Sequence, residues 1–270
     1  MNHFFVITNK NKDASLETTQ RIQKFLENKG KTCTWGRDGK DIPPNTECVL
    51  VLGGDGTLIR AARELRALDI PILGINLGTL GYLTEVEVHN IEKALEQLLE
   101  QEPEIEERMM IQGILNQELE DIALNDIVIT RSGCLRVINV NIYVNGELLN
   151  SYKSDGVIIS TPTGSTGYNL SAGGPIVQPT ASMIVITPIC SHALNTSSVV
   201  LSAEDEIEVE IGKRRDGEIE EASLSFDGDR NIMVKTGDRI IIQKAKETTK
   251  LFKLSKVSFL ETLRKKMKGN

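Results

Sequence analysis

Aromatic residues are scarce in this 270-residue chain, at 4 %, although hydrophobic residues as a whole make up 40 %. A sizeable core is therefore available, and it must be built mainly from Ile, Leu and Val. Cysteines are few and scattered. Cys33, Cys48, Cys134 and Cys190 form no Cys-x-x-Cys pair, and the only histidines are His3, His89 and His192. That distribution argues against a structural zinc site, which needs clustered ligands, and against a disulfide framework. A surplus of positive charge is also lacking: the formal net charge is -7. A phosphate polymer would be repelled unless basic groups clustered locally. The one dense basic run, Arg264, Lys265, Lys266 and Lys268, suits the end of a solvated helix. No apolar run approaches membrane-spanning length, and the first residues lack a charged stretch followed by an apolar one. The expectation is a soluble, cytoplasmic protein with neither nucleic acid nor membrane as partner.

What the chain does have is an ordered alternation of patterns. Residues 4–8 form a short apolar run that predicts a buried strand. From Asp13 the spacing of Leu16, Ile22, Phe25 and Leu26 predicts a helix, which Gly30 ends. Residues 48–52 predict a second buried strand, followed by a glycine-rich turn and a helix carrying Leu58, Ala61, Ala62 and Leu65. A strand over 71–75 and a helix over 91–99 continue the alternation, which implies a parallel α/β sheet. After Gln101-Glu102-Pro103 the chain becomes strand-rich. Residues 135–144 alternate as a half-buried strand should, and Asn145-Gly146 is a strong hairpin turn. Further strands follow at 157–160, 184–186, 207–211, 224–226 and 239–242, with a helix start near Ser165 and a helical tail from Phe259. The expected division is an α/β domain over 1–100, a β-rich domain over 101–250 and a helical C-terminal segment over 251–270.

Gly53-Gly54-Asp55-Gly56-Thr57 lies between a predicted buried strand and a predicted helix. Glycines there let the backbone turn sharply and approach a phosphate, with helix-start N–H groups facing the anion. Neither a P-loop nor the Gly-x-Gly-x-x-Gly dinucleotide fingerprint is present. A bare Gly-Asp-Gly would read as a turn with a capping aspartate. The two preceding glycines and the strand–loop–helix setting favour phosphate binding. A carboxylate inside such a loop repels phosphate, so it needs a metal ion or a task. The tasks open to Asp55 are coordinating Mg²⁺ and taking a proton from an attacking hydroxyl. Arg60, one turn along the helix, is either a phosphate contact or an exposed helix cation.

A second constellation runs from Asp155 to Tyr168, where an apolar strand ends in Thr161-Pro162-Thr163-Gly164-Ser165-Thr166-Gly167-Tyr168. Hydroxyls this dense beside one aromatic ring favour a ligand: Thr163, Ser165 and Thr166 can donate or cap, and Tyr168 offers a flat face to a base. Asn125-Asp126, ahead of a strand, reads from its residues alone as a turn or cap, with a ribose diol as the alternative occupant. Asp227-Gly228 reads as a hairpin turn.

With these motifs assembled, the chain resembles the NAD kinase family along most of its length. The resemblance is carried by Gly53 to Thr57, Asn125-Asp126, the run Asp155 to Tyr168 with Ser171-Ala172-Gly173-Gly174-Pro175, Ile186 to Cys190 and Phe226-Asp227-Gly228. It implies an N-terminal α/β, Rossmann-like domain and a C-terminal all-β, sandwich-like domain, with the site in the cleft where they meet. It implies a phosphotransferase that moves the γ-phosphoryl group of ATP to the 2′-hydroxyl of the adenosine ribose of NAD, with Mg²⁺ or another divalent cation, in a homodimer or homotetramer. It also implies roles. Asp55 would be the general base, with Gly56 and Arg60 at the phosphates. Asn125 and Asp126 would hold adenosine, and Thr163, Thr166, Gly167 and Tyr168 would line the adenine pocket. Asp155 and Ser171 would approach the nicotinamide end, while Arg136 and Lys153 match positions of basic contacts.

The chain departs from that pattern in places. The family usually has Ala at the position of Gly167, Pro near Ser191, Arg-Pro after Asn195 where this chain has Thr196-Ser197, and often Gln at Asp229. Two other readings share features with this one. A lipid kinase would share the first loop but would need room for an acyl chain. A dinucleotide-binding module without activity would keep the second loop and have no use for Asp55.

Overall fold

The structure is a computed structural model that describes residues 1–270 apart from 79, 80, 102, 134–136, 192–196, 215, 216 and 268–270. Its strands are β1 (His3–Thr8), β2 (Thr32–Gly36), β3 (Cys48–Gly53), β4 (Ile72–Asn76), β5 (Val86–Glu87), β6 (Glu104–Leu115), β7 (Leu119–Ala123), β8 (Asp126–Arg131) and β9 (Ile138–Val144). They continue with β10 (Glu147–Ser154), β11 (Gly156–Ser160), β12 (Met183–Ile189), β13 (Val199–Ser202), β14 (Ile207–Ile211), β15 (Glu221–Phe226), β16 (Ile232–Lys235) and β17 (Arg239–Lys253). The α-helices are α1 (Glu17–Asn28), α2 (Asp55–Leu65), α3 (Ile91–Glu100), α4 (Tyr168–Ser171) and α5 (Phe259–Met267). The chain divides into two compact units, Met1–Arg108 with Glu247–Asn270, and Met109–Lys246. Among the described residues no helix is long and apolar enough to cross a membrane.

The first unit is α/β. Strands β2, β1, β3 and β4 lie side by side and parallel. Every residue of β3 is buried, as a central parallel strand covered on both faces must be. Helices α1 and α3 bury Ile22, Leu26, Ile91, Leu95 and Leu98 in one cluster with Leu50, Leu52, Leu73 and Ile75. Helix α1 starts later than the sequence pattern predicts. Leu16 takes the cap position at φ 59, and the buried Asp13 carboxylate accepts from the Thr18 and Thr19 amides. The aspartate therefore satisfies the first turn from outside the helix. Gly30 follows the C-cap at φ 72, the left-handed conformation expected of it. The chain's last stretch belongs to this unit: Leu251 pairs in parallel with Ile72, and Glu85 accepts from the Leu254 and Ser255 amides.

Among the described residues the second unit is all-β but for the four-residue helix α4 and one 3₁₀ turn at Gly164–Thr166. One antiparallel sheet has the order β13-β12-β11-β8-β15-β16. The other contains β10, β9, β14 and the first part of β17. Inward residues of both, such as Ile127, Ile129, Val157, Ile159 and Leu224 from the first and Val140, Ile142, Val209, Ile240 and Ile242 from the second, form one core. That is the sandwich-like arrangement: two sheets burying alternate residues against each other. Asn145 and Gly146 both have positive φ, 50° and 81°, as the tight turn from β9 to β10 requires.

Candidate active site

One candidate site, in the first unit, is the turn from β3 into α2. Gly54 is the extended N-cap residue of α2 and Asp55 its first helical residue. The Thr57 and Leu58 amides are used within the helix, both donating to the Gly54 carbonyl. Those of Asp55 and Gly56 precede the first helical bond and are left for a ligand. Gly54 and Gly56 line a cavity of about 340 Å³ together with Asn9, Lys12, Thr57 and Arg60. Gly53 has a different purpose, because any side chain there would overlap Thr57.

The Asp55 side chain is held firmly. Oδ2 accepts from the Tyr82 amide at 2.7 Å and Oδ1 from the Leu83 amide at 3.1 Å. Gly81 packs so closely that a Cβ at that position would overlap the carboxylate. Asp55 therefore caps a neighbouring loop instead of its own helix, and that loop fixes the rotamer. Arg60 lines the cavity, but its guanidinium is engaged with Glu64 at 3.8 Å and the Arg37 carbonyl at 3.3 Å.

Another candidate site, in the second unit, lies at the start of β8, beside the end of β11, where Asp126 pairs with Ser160. A cavity of about 460 Å³ is lined by Asn125, Asp126, Val128, Thr130, Tyr168, Ser225, Asp227 and Gly228. Two clamps hold Asn125-Asp126. From one side, the Thr161 hydroxyl donates to the Leu124 carbonyl at 2.6 Å and the Thr161 amide to the Asn125 carbonyl at 2.8 Å. Gly164 lies against the Asn125 backbone, where a Cβ would overlap the carbonyl oxygen. From the other side, the Asp227 carboxylate accepts from the amides of Leu124, Asn125 and Asp126 at 2.9, 2.7 and 3.1 Å.

This clamp leaves two chemical consequences. Asn125 Oδ1 is buried and has no hydrogen-bond partner, a costly state that a ligand donor would relieve. Asp126 is also buried, at 5 % exposure. Burial, and secondarily the neighbouring charge of Asp227, push its carboxyl up to about 7, so it changes charge near neutrality. Tyr168 is 46 % exposed, its ring open to the cavity it lines.

Of the residues singled out in the sequence, the structure brings Asn125, Asp126 and Tyr168 to one cavity, and Gly56 and Arg60 to another with Asp55 between its two lining glycines. Thr163, buried, and Thr166 lie on the turn leading to Tyr168, with the Thr166 hydroxyl donating to the Thr163 carbonyl at 3.4 Å. A Cβ at Gly167 would stand 3.5 Å from Asn125 Nδ2. Asp155 pairs with Arg131 at 3.1 Å, while Lys153 and Ser171 are exposed, and none of the three lines the cavity that holds Tyr168. Arg136 and the departures at 195 and 196 lie outside the described residues.

Sequence reasoning missed Asp227. It does form the predicted turn, with φ 51 followed by 70 at Gly228, but its carboxylate has the larger part. Asn169 was missed as well. It is fully buried, donates to the Ser165 and Pro175 carbonyls and accepts from Thr187, so it ties the loop after β11 to β12. The role of Asp227 has no local signal because its amide partners lie 101 to 103 positions away, whereas those of Asn169 lie 4 to 18 positions away, within and just beyond its own polar loop.

Comparison with known proteins shows the family and the fold. A family model described as the ATP-NAD kinase N-terminal domain matches residues 39–103, and one described as the ATP-NAD kinase C-terminal domain matches residues 124–254. The chain is 46 % identical to an NAD kinase of Lachnospira eligens, over 99 % of this chain and 100 % of that protein. It is 48 % identical to an NAD kinase of Agathobacter rectalis, over 100 % of this chain and 99 % of that one. Among solved structures, an NAD kinase from Archaeoglobus fulgidus in complex with ATP superposes with a TM-score of 0.83 at 27 % identity, covering 98 % of each chain. Yeast NADH kinase complexed with NADH has the same fold, with a TM-score of 0.85 at 21 % identity, over 100 % of this chain and 88 % of the yeast chain.

Proposed function

The chain belongs to the NAD kinase family, and from that premise we propose how its residues transfer the γ-phosphoryl group of ATP to the adenosine-ribose 2′-hydroxyl of NAD. The observation that carries the reading is Asp55: a carboxylate at the head of α2, fixed by two amides, between two glycines that open onto a cation-lined cavity. A sugar hydroxyl is a weak nucleophile at neutral pH, and phosphoryl transfer depends on in-line alignment and charge neutralisation. Asp55 takes the 2′-hydroxyl proton as the oxygen attacks. The new O2′–P bond forms while the bond from Pγ to the bridging oxygen breaks, and ADP leaves with that oxygen. The amides of Asp55 and Gly56 and the cations lining the cavity hold the donor phosphates.

Mg²⁺ or another divalent cation fits this donor set. One carboxylate stands beside the phosphate cavity, and Mg²⁺ characteristically relies on nucleotide phosphates and water with only one or two protein carboxylates. When bound, it would neutralise charge on the phosphate oxygens.

The second unit supplies the acceptor's nucleoside pocket. Asn125 Oδ1 and Asp126 accept from the nucleoside, Tyr168 stacks on the base, and Thr163, Thr166 and Gly167 form the neighbouring wall. Asp227 is a positioning residue that acts through the amides of 124–126. Asp155 and Ser171 serve the nicotinamide end, with Lys153 and Arg136 as basic contacts. A wall containing Asn125, Asp126, Thr130, Ser225 and Asp227 suits a nucleoside and does not suit an acyl chain. Incubation with ATP, Mg²⁺ and NAD, read by an NADP-specific dehydrogenase, tests the proposal. NADP that appears only with ATP is the expected result; folded protein that binds NAD without forming NADP would leave a binding module.

A further inference from the structure

Positive charge at the glycine loop comes from an unexpected direction. Beyond β1 the chain makes a tight turn in which the amides of Lys12 and Asp13 donate to the Asn9 carbonyl at 3.1 and 2.9 Å. The Asn9 side chain organises that turn from both ends. Its Oδ1 accepts from the amides of Asn11 and Lys12 at 3.0 and 3.3 Å, and its Nδ2 donates to Thr57 Oγ1 at 2.9 Å. Thr57 is the third residue of α2, so one asparagine fastens the turn to the glycine loop. The result is to aim Lys12 across the loop. A methyl group at Gly54 would lie 3.4 Å from Lys12 Nζ, and one at Gly78 would lie 3.6 Å from it.

Two cations thus line the cavity of about 340 Å³, and they differ in readiness. Arg60 is tied to Glu64 and to the Arg37 carbonyl. The Lys12 ammonium has no hydrogen-bond or ion-pair partner among the described residues. An ammonium on a flexible stem, set over a glycine loop, is matched to phosphate oxygens arriving with their own negative charge.

We propose that Lys12, aimed by the Asn9 turn, is the principal side-chain contact to the phosphates of the donor nucleotide. The inference rests on the phosphotransfer reading above and adds a residue to it. Lys12 is exposed at a turn, so its replacement leaves the fold intact; thermal melting of each variant verifies this.

Steady-state NADP formation by wild type, Lys12→Ala, Lys12→Arg and Arg60→Ala, with ATP and NAD varied separately, tests the proposal. Losing a charge-assisted contact should raise the KM for ATP by about ten- to a hundredfold in Lys12→Ala. The KM for NAD should stay within about twofold of wild type. Lys12→Arg should recover most of the loss, and Arg60→Ala should show the smaller rise. Calorimetry with the non-hydrolysable analogue adenylyl imidodiphosphate provides a readout independent of turnover, with the largest weakening expected in Lys12→Ala and a smaller one in Arg60→Ala. An unchanged ATP KM and unchanged analogue binding in Lys12→Ala would overturn the proposal. Equal rises in the KM values of both substrates would also overturn it, since the effect would then not be specific to the donor. If wild type itself forms no NADP, the phosphotransfer reading fails, and the analogue titration still decides whether Lys12 holds a nucleoside triphosphate.

Discussion

The cavity beside Gly54 and Gly56 is lined by backbone and by cations, whereas the cavity at the start of β8 is lined by two carboxylates, an amide and an aromatic ring. In the first the donors are peptide N–H groups and cationic side chains, so on the proposed reading its selectivity is for charge. The second is walled by groups whose positions depend on remote partners, so on the proposed reading its selectivity is for the shape and hydrogen-bonding edge of a nucleoside. A damaged cation in the first should weaken one substrate. A damaged clamp in the second should weaken the other and also loosen the fold, because Asp227 and Thr161 hold backbone as well as a ligand wall.

The sharpest break between the two regions is Asp55→Asn. The amide keeps the shape of the carboxylate but does not take a proton, so kcat should fall by about 10²–10⁴-fold, as single-turnover NADP formation would reveal. Asp227→Ala strikes the other region. It strips the acceptor from three amides and should cost roughly 1–3 kcal/mol in stability or more, seen as a lowered melting temperature. The NAD KM should rise by about tenfold to a hundredfold as Asn125-Asp126 loses its register, with the ATP KM little changed.

The titration of Asp126 gives the next effect in size. Its carboxyl titrates near 7 when folded, raised first by burial and then by Asp227, against an ordinary value near 4. If the ionised form accepts from the nucleoside, the NAD dissociation constant should tighten as pH rises through 7. The constant at pH 6 should be about tenfold weaker than its alkaline limit. Calorimetry from pH 6 to 8 measures this, and Asp126→Asn should remove the dependence. Stability runs the opposite way. The folded state favours the neutral acid, so this contribution is complete below about pH 4 and is lost as pH rises through about 7. The smallest effect expected is from Gly167→Ala. A Cβ at Gly167 would meet the Gly164 carbonyl oxygen at 3.3 Å and Asn125 Nδ2 at 3.5 Å, contacts that a small shift relieves. The change should move stability by no more than about 1 kcal/mol and leave NADP formation nearly intact.

The first cavity was more legible in the sequence than the second, for a physical reason. A strand, a glycine turn and a helix are contiguous, so Gly53 to Thr57 announces its own geometry through chain-local rules. Lys12 and Asn9 escaped because a turn's aim depends on which neighbour it is fastened to, here Thr57, 48 positions from Asn9. In the second unit Tyr168 and the threonines were visible as a polar loop after an apolar strand, and Asn125-Asp126 became compelling only through resemblance. Asp227 read as a turn residue because its φ and its glycine neighbour satisfy that description completely. Its three amide partners lie 101 to 103 positions away. The strand alternation gave the fold class, but the return of Leu251 to the side of Ile72 is a long-range pairing that periodicity does not encode.

The division of labour is tested most directly by titrating NAD into Asp55→Asn in a calorimeter. If Asp55 serves proton transfer and the acceptor is held by the Asn125 and Asp126 pocket, the dissociation constant should stay within about threefold of the wild-type value while NADP formation is lost. A dissociation constant weakened about tenfold or more would contradict the account, because Asp55 would then be part of what holds NAD.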